Sequence, residues 1–294
     1  METESPTGTL YVVGTPIGNL EDMTFRAVRI LQSVAVIAAE DTRHTGKLLQ
    51  HFQIQTPQIS YHDHNRQQRL PQLLERLQAG EAIALVTDAG MPGISDPGYE
   101  LVNAAIEVGV LVVPIPGSSA GITALCAAGL PTDRFVFEGF LPLKGQKRKQ
   151  QLDAISSESR TLIFYEAPHR VRQTLQDLAG VLGNERQVVV ARELTKLHEE
   201  FWRGTLAEAI AHYQQREPQG EFTLVVAGAQ LVMPMLSEDA LKAELQQLLT
   251  QGLTRSQASR QLAQQTSLSR RQIYQLALTV PDLAISDFSP LEAD

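Results

Sequence analysis

The stretch TDAGMPGISDPG, residues 87–98, sets three glycines, two prolines and two aspartates directly after EAIALV, residues 81–86. EAIALV ends in an apolar, partly β-branched run that reads as a buried strand. A loop so rich in glycine is costly in backbone freedom. It is either a surface turn or a loop that lets a ligand approach the backbone. The surrounding sequence repeats the pattern. TLYVVG (9–14) reads as a strand, followed by a Gly/Pro loop and a helix from Thr24 to about Gln32. SVAVIAAE (33–40) is a second buried strand, and AIALVTD (82–88) and VLVVPIPG (110–117) are further strands. RQQRLPQLLERLQAG (66–80) puts Leu70, Leu73, Leu74 and Leu77 on one helical face and stops at Gly80. A further helix is expected near 98–108. Continuous apolar strands alternating with helices predict a parallel sheet covered on both faces, an α/β fold.

With 294 residues the chain is long enough for two compact domains, and an apolar fraction of 43% can build their cores. Cys126 is the single cysteine, which excludes an internal disulfide framework and suits a reducing cytosol. The opening METESPTG is acidic and polar rather than a secretory signal. LVVAGAQLVMPML (224–236) is too short and too interrupted to span a bilayer. A cytoplasmic protein with no membrane attachment is expected. The net charge of −8 argues against a generic nucleic-acid coat protein. Two segments run against that balance. KGQKRK (144–149) carries four positive charges, and between Leu245 and Pro281 stand Arg255, Arg260, Arg270 and Arg271 with no acidic residue. These are either solvated helix faces or basic surfaces that meet a polyanion.

GLPTDRF (129–135) reads as a link between domains. After it RFVFEGF, RTLIFYE, RQVVVARE and EFTLVVAG are strand candidates separated by helical segments, a second α/β domain ending near Leu231. PMLS (234–237) leads into a helical tail. In SQASRQLAQQTSLSRRQIYQLAL (256–278), Ala258, Leu262 and Ala263 pack one helix and Thr266–Ser269 form a short turn. Ser269 can then cap a second helix bearing Ile273 and Tyr274. Such a pair resembles a helix-turn-helix, and a helical hairpin used only for packing has the same signature. The expected division is 1–130, 131–232 and 233–294.

The first loop, GTPIGNLEDMT (14–24), spaces Gly14 and Gly18 around Pro16, so it is not a dinucleotide fingerprint. Open α/β sheets nevertheless bind ligands at the carboxyl ends of their strands. GTPIGN, TDAGMPG and PIPGSSAG all stand there, and one shared cleft explains three such loops better than three unrelated turns.

GTPIGNLEDMTFRA, AAEDTRHT, YHDHN, VTDAGMPGISDPG, PGSSA, FEGFLP, FYEAPHR and ARELTKLHEE occur in this order, within a match running from Thr9 to about Gly228. Together they resemble the ribosomal RNA small subunit methyltransferase I family, a branch of the tetrapyrrole (corrin/porphyrin) methylases. The resemblance implies two α/β domains with a cofactor cleft between them, plus a small helical C-terminal module. It also implies S-adenosylmethionine as methyl donor, a cytidine 2′-hydroxyl in the decoding region of 16S rRNA as acceptor, and a homodimer. The substrate expected is the assembled small ribosomal subunit. By the same resemblance, Ile17 and the run Asp88, Ala89, Gly90 and Met91 border the cofactor, with Ser118, Ser119 and Ala120 contacting it. Tyr165, Ala191, Phe222 and Thr223 close over it from the second domain.

A ribose hydroxyl is a weak acid and needs a base, or a cation for the developing alkoxide. The candidates are Glu166, His169 and Arg170 in FYEAPHR and Arg192, Glu193, Lys196 and Glu200 in ARELTKLHEE. Lys196 can act as base if its pKa falls towards neutrality, Arg192 can stabilise charge or grip phosphate, and Glu166 can instead orient a neighbour. His62-x-His64 with Asp63 is a poor metal signature, and no metal is expected. Arg43, His62, His64 and Asn65 either meet RNA near the cleft or form a packed polar loop. Two other readings stay open. One is a small-molecule, tetrapyrrole-type methylase, against which the basic segments and the tail argue. The other is an RNA-binding assembly factor without catalysis, against which the intact motifs argue.

Overall fold

The computed structural model describes residues 8–229, 237–266 and 268–281. Residues 1–7 of the expected polar N-terminus, the expected domain end near Leu231, residues 234–236 of PMLS and everything after 281 lie outside the described residues. The chain divides into two compact units, Met1–Ala229 and Gln230–Asp294.

In the first unit, β1 (Thr9–Val13), β2 (Val36–Ala39), β3 (Gln58–Ser60), β4 (Ile83–Val86) and β5 (Leu111–Ile115) form one sheet in the order β3-β2-β4-β1-β5. Every pairing in it is parallel. Helices α1 (Phe25–Ser33), α2 (Thr42–His51), α3 (Arg66–Gln78) and α4 (Tyr99–Glu107) alternate with the strands. The continuous apolar runs are explained by two cores. Leu10, Ala38, Ile83 and Leu85 pack on one face with Leu73, Leu77 and Leu101 of α3 and α4. Val13, Ile37, Ala84 and Val86 pack on the other with Ala27, Leu31 and Leu49 of α1 and α2. Successive side chains point to opposite faces, so a strand covered twice must be apolar at every position.

The second sheet holds β6 (Phe135–Phe140), β7 (Thr161–Glu166), β8 (Gln187–Arg192), β9 (Glu200–Thr205) and β10 (Phe222–Val226), ordered β6-β7-β10-β8-β9. Only β6 and β7 run parallel; β7–β10, β10–β8 and β8–β9 are antiparallel. One face packs on α6 (Gly145–Ala154), α7 (Val171–Leu182) and α8 (Leu206–Gln215). The opposite face, with Ile163, Val189, Ala191 and Val225, packs on Ala124, Leu125 and Ala128 of α5 (Ala120–Ala128). Thus α5, which follows the last strand of the first sheet, forms part of the second sheet's core. Neither β3 nor β9 was expected from the sequence. β3 is a three-residue edge strand, and β9 (EFWRGT) is an edge strand that is nowhere fully buried, so neither carries an apolar run.

The second unit packs α9 (Glu238–Thr250), α10 (Arg255–Gln265) and α11 (Arg270–Thr279) around Leu241, Leu245, Ala258, Leu262, Ile273 and Ala277. Thr254 and Ser269 close capping boxes with Gln257 and Gln272, which fixes where α10 and α11 begin. Ile273 is fully buried, whereas Tyr274 is 38% exposed. Among the described residues, no helix is long and apolar enough to cross a membrane.

Candidate active site

The loops after β1, β4 and β5 are bound to one another. Thr15 and Gly90 exchange backbone hydrogen bonds of 2.9 and 3.1 Å, and the Thr15 hydroxyl donates to the Thr87 carbonyl at 3.1 Å. A Cβ on Gly117 would stand 2.7 Å from the Gly14 Cα, so the first and PGSSA loops meet backbone on backbone. The loop after β2 joins them, because the Asp41 amide donates to the Asp88 carboxylate at 3.2 Å and the Asp88 amide to Glu40 at 3.3 Å. These strand ends face the β7–β10 region of the second sheet across a cavity of about 430 Å³.

From the first sheet the cavity is lined by Ile17, by Asp88, Ala89, Gly90 and Met91, and by Ser119 and Ala120. From the second sheet Tyr165, Glu166, Phe222 and Thr223 complete it. Tyr165 is fixed there because its hydroxyl accepts from the Gly121 amide at 3.0 Å and its ring meets Phe137 and Phe140 edge-on. Two residues expected at the cofactor are absent from this lining. Ser118 is not in the lining. Ala191 is fully buried in the core under α5, on the helix-facing side of β8.

Glu166, Arg192 and Lys196, expected to carry the chemistry, are each engaged in ion pairs. Glu166 is buried and accepts from the Thr174 hydroxyl at 2.6 Å and the Ala167 amide at 2.9 Å, with Arg170 at 3.2 Å. This arrangement holds the turn after β7. Arg192 lies 3.1 Å from Glu200, which also binds Arg216 at 2.7 Å. Lys196 sits between Glu193 at 2.8 Å and Glu221 at 2.9 Å, its stem lying over Gly18. Burial alone would lower the Lys196 pKa, but the hydrogen bonds to Glu193 and Glu221 outweigh it and the net shift is upward. The condition for Lys196 to be a neutral base is therefore not met. Arg192 and Lys196 do not line the cavity, although Glu221, which Lys196 grips, does.

The structure adds lining groups that sequence reasoning did not single out, chiefly Glu40, Asp96, Phe140 and Glu221. Glu40 directly follows the buried strand β2, which is the position from which a strand-end carboxylate enters a cleft. Asp96 lies in the opening stretch itself, and the fold sets it half-buried in the cavity wall. Burial raises the Glu40 pKa, more than the Asp88 amide lowers it. Burial, then the charges of Glu40 and Asp88, push Asp96 to about 7.

The YHDHN loop is internally bonded. Asn65 donates to the Ser60 carbonyl and hydroxyl at 3.1 and 3.0 Å and accepts from the His62 amide at 2.9 Å. Arg43 pairs with Asp41. Neither His62 nor His64 lines the cavity. Among the described residues, no three His, Cys, Asp or Glu side chains are grouped to hold a metal ion. The basic segments also need correction. Arg148 is buried, bound to Asp177 at 2.7 Å, the Pro142 carbonyl at 2.9 Å and Thr174 at 2.9 Å, so 144–149 presents three exposed cations rather than four. Arg255 donates to the Ala277 and Val280 carbonyls at 3.0 Å, an interaction that completes the end of α11.

The family model described as Tetrapyrrole (Corrin/Porphyrin) Methylases matches residues 9–210. The chain is 63% identical over 272 residues to the ribosomal RNA small subunit methyltransferase I of Synechocystis sp., a match covering 92% of this chain and 98% of that protein. The protein of the same name from Escherichia coli O157:H7 is 49% identical over 273 residues, covering 92% and 95%. Among solved structures, uroporphyrin-III C-methyl transferase from Thermus thermophilus complexed with S-adenyl homocysteine matches with a TM-score of 0.54 and 20% identity, covering 75% of this chain and 97% of that chain. At that identity the likeness concerns the fold alone. A family model spanning most of the chain, and relatives matched along nearly their whole length, identify the chain as a member of the tetrapyrrole (corrin/porphyrin) methylase family, in its ribosomal RNA small subunit methyltransferase I branch.

Proposed function

We propose that the chain transfers a methyl group from S-adenosylmethionine to the 2′-hydroxyl of a cytidine in the decoding region of 16S rRNA, within the small ribosomal subunit. The observation that carries this reading is the single cavity where the β1, β4 and β5 loops meet the second sheet. Its lining suits the cofactor. Ile17, Met91, Tyr165 and Phe222 offer apolar surface for an adenosine, and the backbone of 88–91 approaches closely because Gly90 adopts a φ of +81°. Glu40, Asp88 and Asp96 place negative charge where a cationic ligand is favoured. The bound cofactor supplies a methyl group activated by a sulfonium. The cavity walls hold that group and the acceptor oxygen in line and keep out competing water.

Glu166, Arg192 and Lys196 act in this reading by position. Glu166 holds the turn that carries Tyr165 into the cleft. Lys196 holds the cavity carboxylate Glu221, and Arg192 fixes Glu200 at the start of β9. The exposed Lys144, Lys147 and Lys149, and Arg260, Arg270 and Arg271 of the helical unit, supply cationic surface for RNA phosphates. We place the enzyme in the cytoplasm, as a homodimer. Edge strand β6 leaves Phe135 and Phe137 more than a third exposed, apolar surface that a second copy can cover. Methyl-labelled cofactor incubated with small subunits not yet methylated at this position tests the function. Label in the rRNA of the subunit, with none on free cytidine, is expected. Comparable labelling of the nucleoside contradicts a substrate read from the assembled subunit.

A further inference from the structure

We propose that Asp96, in the loop after β4, is the group that takes the proton from the acceptor hydroxyl. The inference rests on the cofactor and acceptor proposed above, and it names the base that the pairing of Lys196 leaves unassigned.

The carboxylates lining the cavity are distinguished by their partners. Glu40 accepts from the Asp88 amide, and Asp88 from the Asp41 amide. Glu166 is bonded to Thr174 and Ala167 and paired with Arg170. Glu221 is paired with Lys196. Asp96 alone among these, within the described residues, makes no hydrogen bond and no ion pair, yet it lines the same cavity. Its placement is built into the fold. Ser95 holds a φ of +62°, and its hydroxyl would lie 3.0 Å from a Cβ on Gly139, so this loop reaches across to β6.

The groups around Asp96 suit a base. The charges of Glu40, after β2, and Asp88, after β4, act on it across the shared cavity lining, and those of Asp63 and His62 act on Glu40. Tyr165 approaches from β7 and feels its charge. The charges that act on Asp96 are both negative, and with burial they bring its proton affinity into the neutral range, where a general base works best. A cation in the cavity lowers that affinity, so Asp96 is ionised when the methyl donor is bound. In the transfer, a carboxylate oxygen of Asp96 takes the hydroxyl proton. The O–H electron pair stays on oxygen, which bonds the methyl carbon, while the carbon–sulfur pair stays on sulfur. The sulfur is then neutral, the affinity of Asp96 rises again as the proton arrives, and the proton passes to water afterwards.

Two measurements on the full chain test this. Calorimetry at pH 7, in buffers of different ionisation enthalpy, counts protons released on binding. About half a proton is expected for S-adenosylmethionine, because a group titrating near 7 is half protonated there. Less is expected for S-adenosylhomocysteine, whose sulfur is uncharged, and the difference disappears in Asp96→Asn. Single-turnover transfer to small subunits should fall about 100-fold or more in Asp96→Asn, within the usual range for loss of a general base. The acid limb of the wild-type pH profile should vanish with it. Asp96→Glu, which keeps a carboxylate, recovers part of the rate and restores the limb. Equal proton release for the two ligands, or a difference that persists in Asp96→Asn, overturns the assignment whether or not the small subunit is the acceptor. So does an Asp96→Asn enzyme whose rate stays within a few-fold of wild type. A wild type that shows the proton difference but labels no rRNA overturns the proposed acceptor, and leaves Asp96 only as the group whose proton the methyl donor displaces.

Discussion

Arg148 shows how residue type and residue role separate. In the sequence it is one of four cations in KGQKRK, and only the fold sets it apart. It is 8% exposed and joins Asp177, the Pro142 carbonyl and Thr174, while Thr174 in turn donates to Glu166. Arg148 therefore supports the wall that carries Tyr165. Truncating it takes the cationic partner from Asp177 and the Pro142 carbonyl, leaving Asp177 bound, among the described residues, to Gln173 alone. Arg148→Ala should cost about 3 kcal/mol, in keeping with a broken, largely buried ion pair. Lys147→Ala should stay within about 0.5 kcal/mol, as exposed substitutions do. Urea midpoints compare the two, and similar losses would mean that Arg148 is not buried as described. Lys196 teaches the same point through charge. Its residue type permits a base, and the carboxylates at 2.8 and 2.9 Å keep it a cation.

At the scale of elements, legibility follows burial. β2 and β4 are apolar at all four positions because helices cover both faces of their sheet, and the same uniformity makes them visible in sequence. α3 is equally plain, with Leu73 and Leu77 fully buried one helical turn apart. β9 was hidden because an edge strand carries Glu200, Arg203 and Thr205 beside Phe201 and Trp202. The antiparallel pairings of the second sheet were hidden for a different reason. An apolar run such as EFTLVV specifies a buried strand but not its partner, and β10 lies between β7 and β8 through contacts distant in sequence. The three glycine-rich loops marked the cavity well, because close backbone approach can be met only by glycine. Gly117→Ala would put a methyl 2.7 Å from the Gly14 Cα, so one loop must move. A loss of about 1–3 kcal/mol in stability is expected from such overpacking. Methyl transfer should fall about 100-fold, because misplacement of about 1 Å is enough for that. Gly180→Ala, in α7, meets nothing within 4 Å and should leave transfer unchanged. Equal transfer by both variants would detach the Gly14–Gly117 contact from the site.

At the scale of the molecule, the two units have separate cores. The sheets of Met1–Ala229 own the cavity, and the helices of Gln230–Asp294 close around Leu245, Leu262 and Ile273. A chain ending at Ala229 should keep its cofactor affinity within about twofold. It should lose on the order of tenfold or more in methylation of small subunits, since phosphate contacts supply much of the affinity for RNA. Loss of cofactor binding in that chain would contradict the division. The helical unit was legible through Ala258 and Leu262 and the Ser269 cap, whereas the Thr254 cap was not read and Arg255, read as surface charge, instead closes α11. The central claim is transfer to a ribose oxygen, and it is tested most directly by alkaline hydrolysis of labelled rRNA from treated small subunits. A methylated 2′-oxygen cannot attack the neighbouring phosphate, so the label should remain in an alkali-resistant dinucleotide beginning with cytidine. Label released in a mononucleotide, carried on a base, would contradict the claim.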